Sequence, residues 1–194
     1  APDPVVSTIS IEGAPQNTIN YAGLFTVKGL LTLKDKTPIA GLKVSLEIKR
    51  ANETVWSKVT ELVTGVDGVV STPMTLGANA SLRLTTVGTW EQAESISQEA
   101  AMIVKSTLQL DRPVSVSKGA PIVVNAQLLP RLAGKSAQLQ KNINGKWQNV
   151  GTPVLSDANG LFTFTTVEPK RGVITMRVQL IGDTASEQFA IVVR

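Results

Sequence analysis

The chain has 194 residues, a net charge of +4, 42% hydrophobic and 18% charged residues, a balance typical of folded globular proteins. It contains no cysteine and no histidine, which excludes disulfides, thiolate metal sites and the commonest catalytic base. Aromatic residues make up only 4% of the chain, so its cores must be built from valine, leucine and isoleucine, which favour β-strands.

The first part of the chain is patterned as strands separated by polar turns. Residues 1–6 are rich in proline and are expected to form a loose N-terminal arm, and residues 8–11 alternate as a first strand. The pattern of residues 24–33 predicts the next strand. In residues 43–49, valine, leucine and isoleucine alternate with lysine, serine and glutamate, which indicates a strand with one buried face and one exposed face.

Further strands complete the first half. A short strand containing Trp56 and Val59 is predicted after the turn at residues 51–53, and another over residues 69–76, where Pro73 implies an edge strand or a bulge. Residues 82–86 alternate, and residues 95–104 are expected to form a closing strand. No segment shows convincing helical periodicity.

The second half repeats the first. Because several strand segments and single residues recur in the same order, we predict two domains, 1–105 and 106–194, joined by Lys105-Ser106. So short a joint cannot behave as a flexible coil, and we expect a restricted, extended arrangement of the two domains. The repeated marks are 7–11 with 106–110, Trp56 with Trp147, Gly68 with Gly160, Arg83 with Arg177, and 97–104 with 186–193.

About seven short strands per half, with turn signals every 8–12 residues, predict an all-β fold of two tandem immunoglobulin-like antiparallel β-sandwiches. Residues 135–164 carry the motifs Asn-Gly-Lys-Trp at 144–147 and Ser-Asp-Ala-Asn-Gly-Leu-Phe at 156–162. This segment resembles the tandem bacterial Ig-like (immunoglobulin/fibronectin-III-like) repeats of exported and cell-surface proteins. The first half matches less well, with Asn52-Glu53-Thr54 and a shortened Asp67-Gly68.

The resemblance implies a non-catalytic structural or adhesive module, located outside the cell or at its surface. Such modules serve as spacers, adhesive domains or polymer-binding domains, and the motif carries no catalytic residue. The start, Ala1-Pro2-Asp3-Pro4, is typical of a terminus left by a signal peptidase or of a segment boundary. No run of 18 apolar residues occurs, so no membrane insertion is expected.

Residues 157–160, Asp-Ala-Asn-Gly, place oxygen ligands at alternate positions, as at the start of a calcium loop. No acidic cluster follows to complete six to eight ligands, and a turn in which aspartate caps the backbone explains the pattern better. We therefore expect no metal site and no cofactor. A hydrolase is not expected either, because without histidine or cysteine only carboxylate or Ser–Lys chemistry remains, and no helix is available to hold it.

Trp90 has no counterpart in the second half and lies in a predicted loop between two strands. Trp56 and Trp147 recur at one position and are expected to pack in the core or over an end of the sandwich. An unpaired loop tryptophan can contact a sugar ring or a protein, or pack onto the neighbouring domain. Trp90 is therefore the first candidate binding residue.

A basic patch is the second candidate. Residues 106–194 contain ten Lys and Arg against five Asp and Glu, whereas residues 1–105 contain nine against ten. Four of the cations cluster in sequence, and two of them flank the Asn144-Gly145 turn. They could attract anionic wall polymers, or protect a sheet edge from aggregation. These candidate residues are Arg131, Lys135, Lys141 and Lys146.

The sequence thus favours an extracellular spacer or protein-interaction segment of a bacterial surface or secreted protein. The alternative is a module that binds carbohydrate or cell-wall polymer, as an accessory to a wall enzyme. The expected partner is a protein or a surface polysaccharide, with self-assembly left open. Nucleic acid is not expected, since the basic patch has one aromatic residue and no stacking platform.

Overall fold

The computed structural model describes all 194 residues, Ala1–Arg194. The chain forms two compact units, a first domain of Ala1–Lys105 and a second domain of Ser106–Arg194. A short 3-10 turn, Pro15–Asn17, is the single helical element, and no helix has the length and apolar character needed to cross a membrane. The predicted all-β class is confirmed.

The first domain has nine strands in two sheets. The smaller sheet has the order β1-β3-β6, and the larger sheet has the order β2-β9-β7-β4-β5, with β8 beside β7. The strands are β1 Val5–Glu12, β2 Thr18–Asn20, β3 Leu24–Leu33, β4 Lys43–Arg50, β5 Ser57–Val63, β6 Val69–Thr75, β7 Ala80–Thr86, β8 Ser95–Ile96 and β9 Ala100–Lys105.

The second domain repeats this arrangement. Its sheets have the orders β10-β12-β16 and β11-β18-β17-β13-β14, with β15 beside β13. The matching strand orders make each domain an immunoglobulin-like sandwich, as predicted. The strands are β10 Thr107–Asp111, β11 Ser115–Val116, β12 Pro121–Leu129, β13 Ser136–Ile143, β14 Lys146–Asn149, β15 Val154–Leu155, β16 Leu161–Val167, β17 Gly172–Leu180 and β18 Ser186–Val193.

Each core lies between the two sheets of its own domain and is almost entirely aliphatic. The alternation predicted in β4 is confirmed, because Val44, Leu46 and Ile48 are buried while the residues between them face outward. In the second domain Phe162 and Phe164 stack within the core, with ring centroids 6.3 Å apart. Pro73 lies in β6, an edge strand, which confirms the interpretation of that proline.

The expectation of a loose arm over residues 1–6 is wrong. β1 already begins at Val5, which lies opposite Leu33 of β3. Before it, the Asp3 N–H donates to the Glu91 carbonyl (2.7 Å), and the Ala93 N–H donates to the Asp3 carbonyl (2.9 Å). These backbone hydrogen bonds order the segment although it is rich in proline.

The single closing strand predicted over residues 95–104 is also wrong. It is divided into β8 and β9, because residues 97–99 bulge opposite Arg83-Leu84 of β7. The buried Ser97 hydroxyl accepts a hydrogen bond from the Leu84 N–H (2.9 Å) and replaces a ladder bond there. The matching strand of the second domain, β18, runs without a break.

The predicted turns are confirmed in both domains. Asp157 Oδ1 accepts hydrogen bonds from the N–H groups of Asn159 (2.8 Å) and Leu161 (2.9 Å), and Asp67 Oδ1 accepts one from Val69 (3.1 Å). Asn144-Gly145 forms a tight two-residue hairpin, in which both residues have positive φ. These aspartates therefore serve as backbone caps.

Candidate functional site

The loop that carries Trp90 connects β7 to β8 and contains residues 87–94. Its turn is closed by Thr89, whose hydroxyl accepts hydrogen bonds from the N–H groups of Glu91 (3.3 Å) and Gln92 (3.0 Å). The N-terminal Asp3 pairs with the loop from the other side. The equivalent loop between β17 and β18 has five residues instead of eight, so this feature belongs to the first domain alone.

Trp90 points into solvent although its backbone is held on both sides. The residue is 86% exposed, and the nearby Val87 is 83% exposed. A tryptophan buries more apolar area on contact than most residues, so Trp90 is a candidate contact residue.

A groove of about 560 Å³ opens beside this loop, on the outward face of β4 and β5. Trp90 and Val87 line one side, and Lys43, Ser45 and Glu61 line the sheet side. Its surface therefore combines one flat aromatic group with hydroxyl, ammonium and carboxylate groups. This mixture suits a sugar ring or a polar protein loop.

The charges on the sheet side of the groove are paired. Glu61 contacts Lys58 Nζ at 2.9 Å and Lys43 Nζ at 3.4 Å. The hydrogen bond from Lys58, with the charge of Lys43, lowers the pKa of the Glu61 carboxyl. Glu61 therefore remains a hydrogen-bond acceptor at neutral pH.

The expectation that Trp56 and Trp147 pack in the core or cover a sandwich end is wrong. Each lies half-buried against the outward face of a sheet, beneath an arginine. The Arg83 guanidinium lies 4.2 Å from the Trp56 ring centroid, and that of Arg177 lies 4.5 Å from the Trp147 centroid. The repeated tryptophan is therefore one half of a cation–π pair that braces the larger sheet in each domain.

The same arginines are held by a residue of the neighbouring strand. Arg83 Nε donates to Glu47 (2.8 Å), and Arg177 Nε donates to Gln140 (2.7 Å). Stacking and hydrogen bonding together fix each guanidinium. These groups are engaged within their own domains and are weak candidates for binding a partner.

The four predicted basic residues do not form one patch in the structure. Lys135 precedes β13 and, with Arg131, lies beside the 156–160 turn, whereas Lys141 lies near the other end of the strand. Six residues of extended chain place about 20 Å between Lys135 and Lys141. Lys141 and Lys146 are diagonal neighbours across the β13–β14 hairpin, so these two alone come together.

Lys141 is occupied by an intramolecular partner. Its ammonium group forms an ion pair with Glu168, whose side chain is only 9% exposed. The hydrogen bond from Lys141, assisted by the Lys170 N–H (3.3 Å), lowers the pKa of the Glu168 carboxyl. Lys141 therefore stabilises the sandwich end and is not free to bind a partner, whereas Lys146 is exposed and forms no ion pair.

Besides Arg194, three cations that were not predicted as site residues lie at the same end of the second domain as Lys146. They are separated along the chain by up to 53 positions, so local clustering in the sequence could not reveal them. A predicted strand order could have located these three cations, because each of them lies in a turn next to a strand terminus at this end. These residues are Lys118, Lys170 and Arg171.

No protein-family model and no curated protein matches this sequence. Among solved structures, the chain is similar to the D0-D1 domain of intimin (10% identity, 96% of this chain, 98% of that chain, TM-score 0.40). It is also similar to a C-terminal 282-residue intimin fragment in complex with the translocated intimin receptor's intimin-binding domain (13% identity, 97% of this chain, 63% of that chain, TM-score 0.45). A third similar structure is that of invasin, described as a bacterial integrin-binding protein (16% identity, 97% of this chain, 39% of that chain, TM-score 0.43).

The chain spans less than two thirds of the intimin fragment and of the invasin chain. The immunoglobulin-like fold rests on the strand order of each domain.

Proposed function

We propose that this chain is a non-catalytic extracellular module of a bacterial surface or secreted protein, in which two Ig-like domains act as a stiff spacer. The observation that carries the proposal is the joint between them. β9 ends at Lys105 and β10 begins at Thr107, so Ser106 is the one residue outside a strand. A joint of this length has no room for the conformations that make a linker flexible.

The proposed bacterial surface or secreted location is supported by the Asn-Gly-Lys-Trp and Asp-Ala-Asn-Gly motifs of the second domain. The exposed Trp90 supports the adhesive part of the proposal, since a protein partner can enclose the indole.

Stiffness can be measured with spin labels, because the chain has no native cysteine to interfere. Asn52→Cys and Thr184→Cys place one exposed label in each domain. We expect a narrow distribution of label distances by pulsed electron spin resonance. A matched variant with about four Gly-Ser residues inserted after Ser106 should give a much broader distribution. Equal widths for the two proteins would contradict the spacer proposal.

A second candidate function is binding of a surface polysaccharide through Trp90. It is favoured by the groove, in which the exposed indole stands beside the hydroxyl of Ser45 and the paired charges of Lys43 and Glu61. A pyranose ring could stack on the indole while its hydroxyl groups bond to the sheet side of the groove.

A glycan array tests this candidate. The native chain should bind at least one neutral glycan, and Trp90→Ala should weaken that binding about tenfold, equivalent to about 1.4 kcal/mol. Leu155→Ala, which removes an exposed apolar side chain of the second domain, serves as the control and should bind as the native chain does. Binding that Trp90→Ala leaves unchanged, or no binding, would exclude a glycan at this groove.

A further inference from the structure

Five exposed cations lie at one end of the second domain, the end far from Thr107, where β10 begins; one of them is Arg194, which follows β18, and the other four lie in turns or open a strand. Lys118 precedes β12, Lys170 and Arg171 lie between β16 and β17, and Lys146 opens β14. All four side chains are exposed, and none forms an ion pair. We call this group the basic end.

The backbone under the basic end is cross-linked by hydrogen bonds. The Lys118 N–H donates to the Arg194 carbonyl (2.7 Å), and the Gly119 N–H donates to the Glu168 carbonyl (3.0 Å). Gly172, which follows Arg171, lies opposite Val193 in β18. The segments that carry Lys118, Lys170 and Arg171 are thus fixed relative to one another, so little ordering of the backbone is needed when a ligand binds.

No exposed side-chain carboxylate lies at the basic end, and Arg194 adds a further cation beside it. Glu168 lies beneath it, but its carboxylate is buried and already bonded to Lys141 and to the Lys170 N–H. Three other carboxylates of the domain lie toward its opposite end, and Asp111 lies opposite Asn125 within a sheet. Those three are Asp157, Asp183 and Glu187.

The cations are spaced too widely for one small anion, which favours an extended ligand. Lys146 belongs to one sheet, whereas the loop with Lys170 and Arg171 crosses from one sheet to the other. Because facing sheets lie about 10 Å apart, one small anion cannot touch all four groups. A chain of repeated anionic groups can, and its binding gains from the release of counterions at each contact.

The surroundings also argue against nucleic acid. Binding of single strands depends on exposed aromatic rings on which bases stack. In the second domain the three phenylalanines are buried, and one face of the half-buried Trp147 is covered by Arg177. Lysine ammonium and arginine guanidinium groups without an aromatic platform suit phosphates that carry no base.

We propose that the basic end binds a linear polymer of phosphodiester-linked polyols. Lys118, Lys146, Lys170 and Arg171 contact successive phosphates, while Lys141 remains bonded to Glu168. This site is separate from the Trp90 groove, and it does not depend on the stiffness of the joint between the domains.

The test uses purified poly(glycerol phosphate) and the full chain in solution, with binding measured by titration calorimetry. Lys170→Glu combined with Arg171→Glu should weaken binding at least tenfold. Arg131→Glu combined with Lys135→Glu changes the net charge by the same amount at the other end of the domain, and should weaken binding less than about threefold. Affinity should fall roughly tenfold or more between about 50 and 200 mM salt.

A second double variant, Lys118→Glu with Lys146→Glu, acts through other segments and should reproduce the loss. Circular dichroism of all variants checks that the sandwich is intact. Absence of binding at low salt would overturn the proposal, as would equal losses in the charge-matched pairs, which would reveal an effect of net charge alone. Tighter binding of single-stranded DNA with the same number of phosphates would assign the site to nucleic acid instead.

Discussion

Gly68→Ala is expected to destabilise the first domain by about 2–5 kcal/mol, the sum of an unfavourable backbone conformation and an atomic overlap. Gly68 has φ of +72°, a region that residues with a Cβ rarely adopt. An alanine Cβ would also lie 2.5 Å from the Leu31 carbonyl oxygen and 3.2 Å from the Ile39 nitrogen. Both neighbours are backbone atoms, so relief requires the strand itself to move.

The close approach arises from hydrogen bonds that join the turn to β3. The Leu31 N–H donates to the Gly68 carbonyl (2.9 Å), and the Leu31 carbonyl accepts from the Ile39 N–H (3.1 Å). The second domain repeats the first of these bonds, from Leu128 N–H to the Gly160 carbonyl (2.9 Å). A side chain at Gly68 must therefore break backbone pairing as well as strain the turn.

Gly41→Ala is the matched control for the overlap. Gly41 has the same φ of +72°, but nothing lies within 4 Å of the added Cβ, so we expect a loss of about 1–2 kcal/mol. Urea unfolding followed by two-dimensional NMR separates the signals of the two domains. Signals of the second domain should keep their midpoint in both variants. Equal losses for Gly41→Ala and Gly68→Ala would show that the overlap is relieved without cost.

Local sequence patterns were sufficient to predict the strands and turns whose structure depends on neighbouring residues. The two-residue period in β4 defined its buried face, and aspartate and glycine marked the turns at Gly68 and Gly160. Recurrence of these marks then identified the second sandwich. In each of these cases the determining interaction lies within a few residues along the chain.

Predictions failed where the determining partner is distant in sequence. The N-terminal segment is ordered by hydrogen bonds from Asp3 to residues 91 and 93, which no local signal indicates. β8 and β9 are separated by the side chain of Ser97, which bonds to Leu84. Trp56 resembled a core residue in the sequence, yet Arg83, 27 positions away, provides its packing surface.

The candidate site shows the same division. The exposure of Trp90 follows from its position in an unpaired loop, which the comparison of the two halves located. The basic cluster could not be read from neighbouring positions, because Lys135 and Lys141 lie near opposite ends of one strand. Lys118 and Lys170 are distant in sequence but are brought together by the pairing of Gly119 with Glu168.

Removal of the lysine beneath the basic end should have the second large effect on stability. Lys141→Met is expected to destabilise the second domain by about 2 kcal/mol at neutral pH, because it leaves the buried Glu168 carboxylate without its main partner. Lys28→Met breaks the Lys28–Glu12 pair (2.7 Å), in which both side chains are largely exposed, and should leave stability nearly unchanged.

The effect of Lys141→Met should depend on pH in a defined direction. Lys141 holds the pKa of folded Glu168 below its ordinary value of 4.5. The stabilisation is therefore fully present above pH 4.5 and is lost as the pH falls through the folded pKa. Urea unfolding of the native chain and of Lys141→Met, read from second-domain NMR signals, should differ most at neutral pH and converge in acid. A difference that stays constant from neutral pH into acid would show that Lys141 stabilises the domain through the packing of its aliphatic stem, and not through its charge.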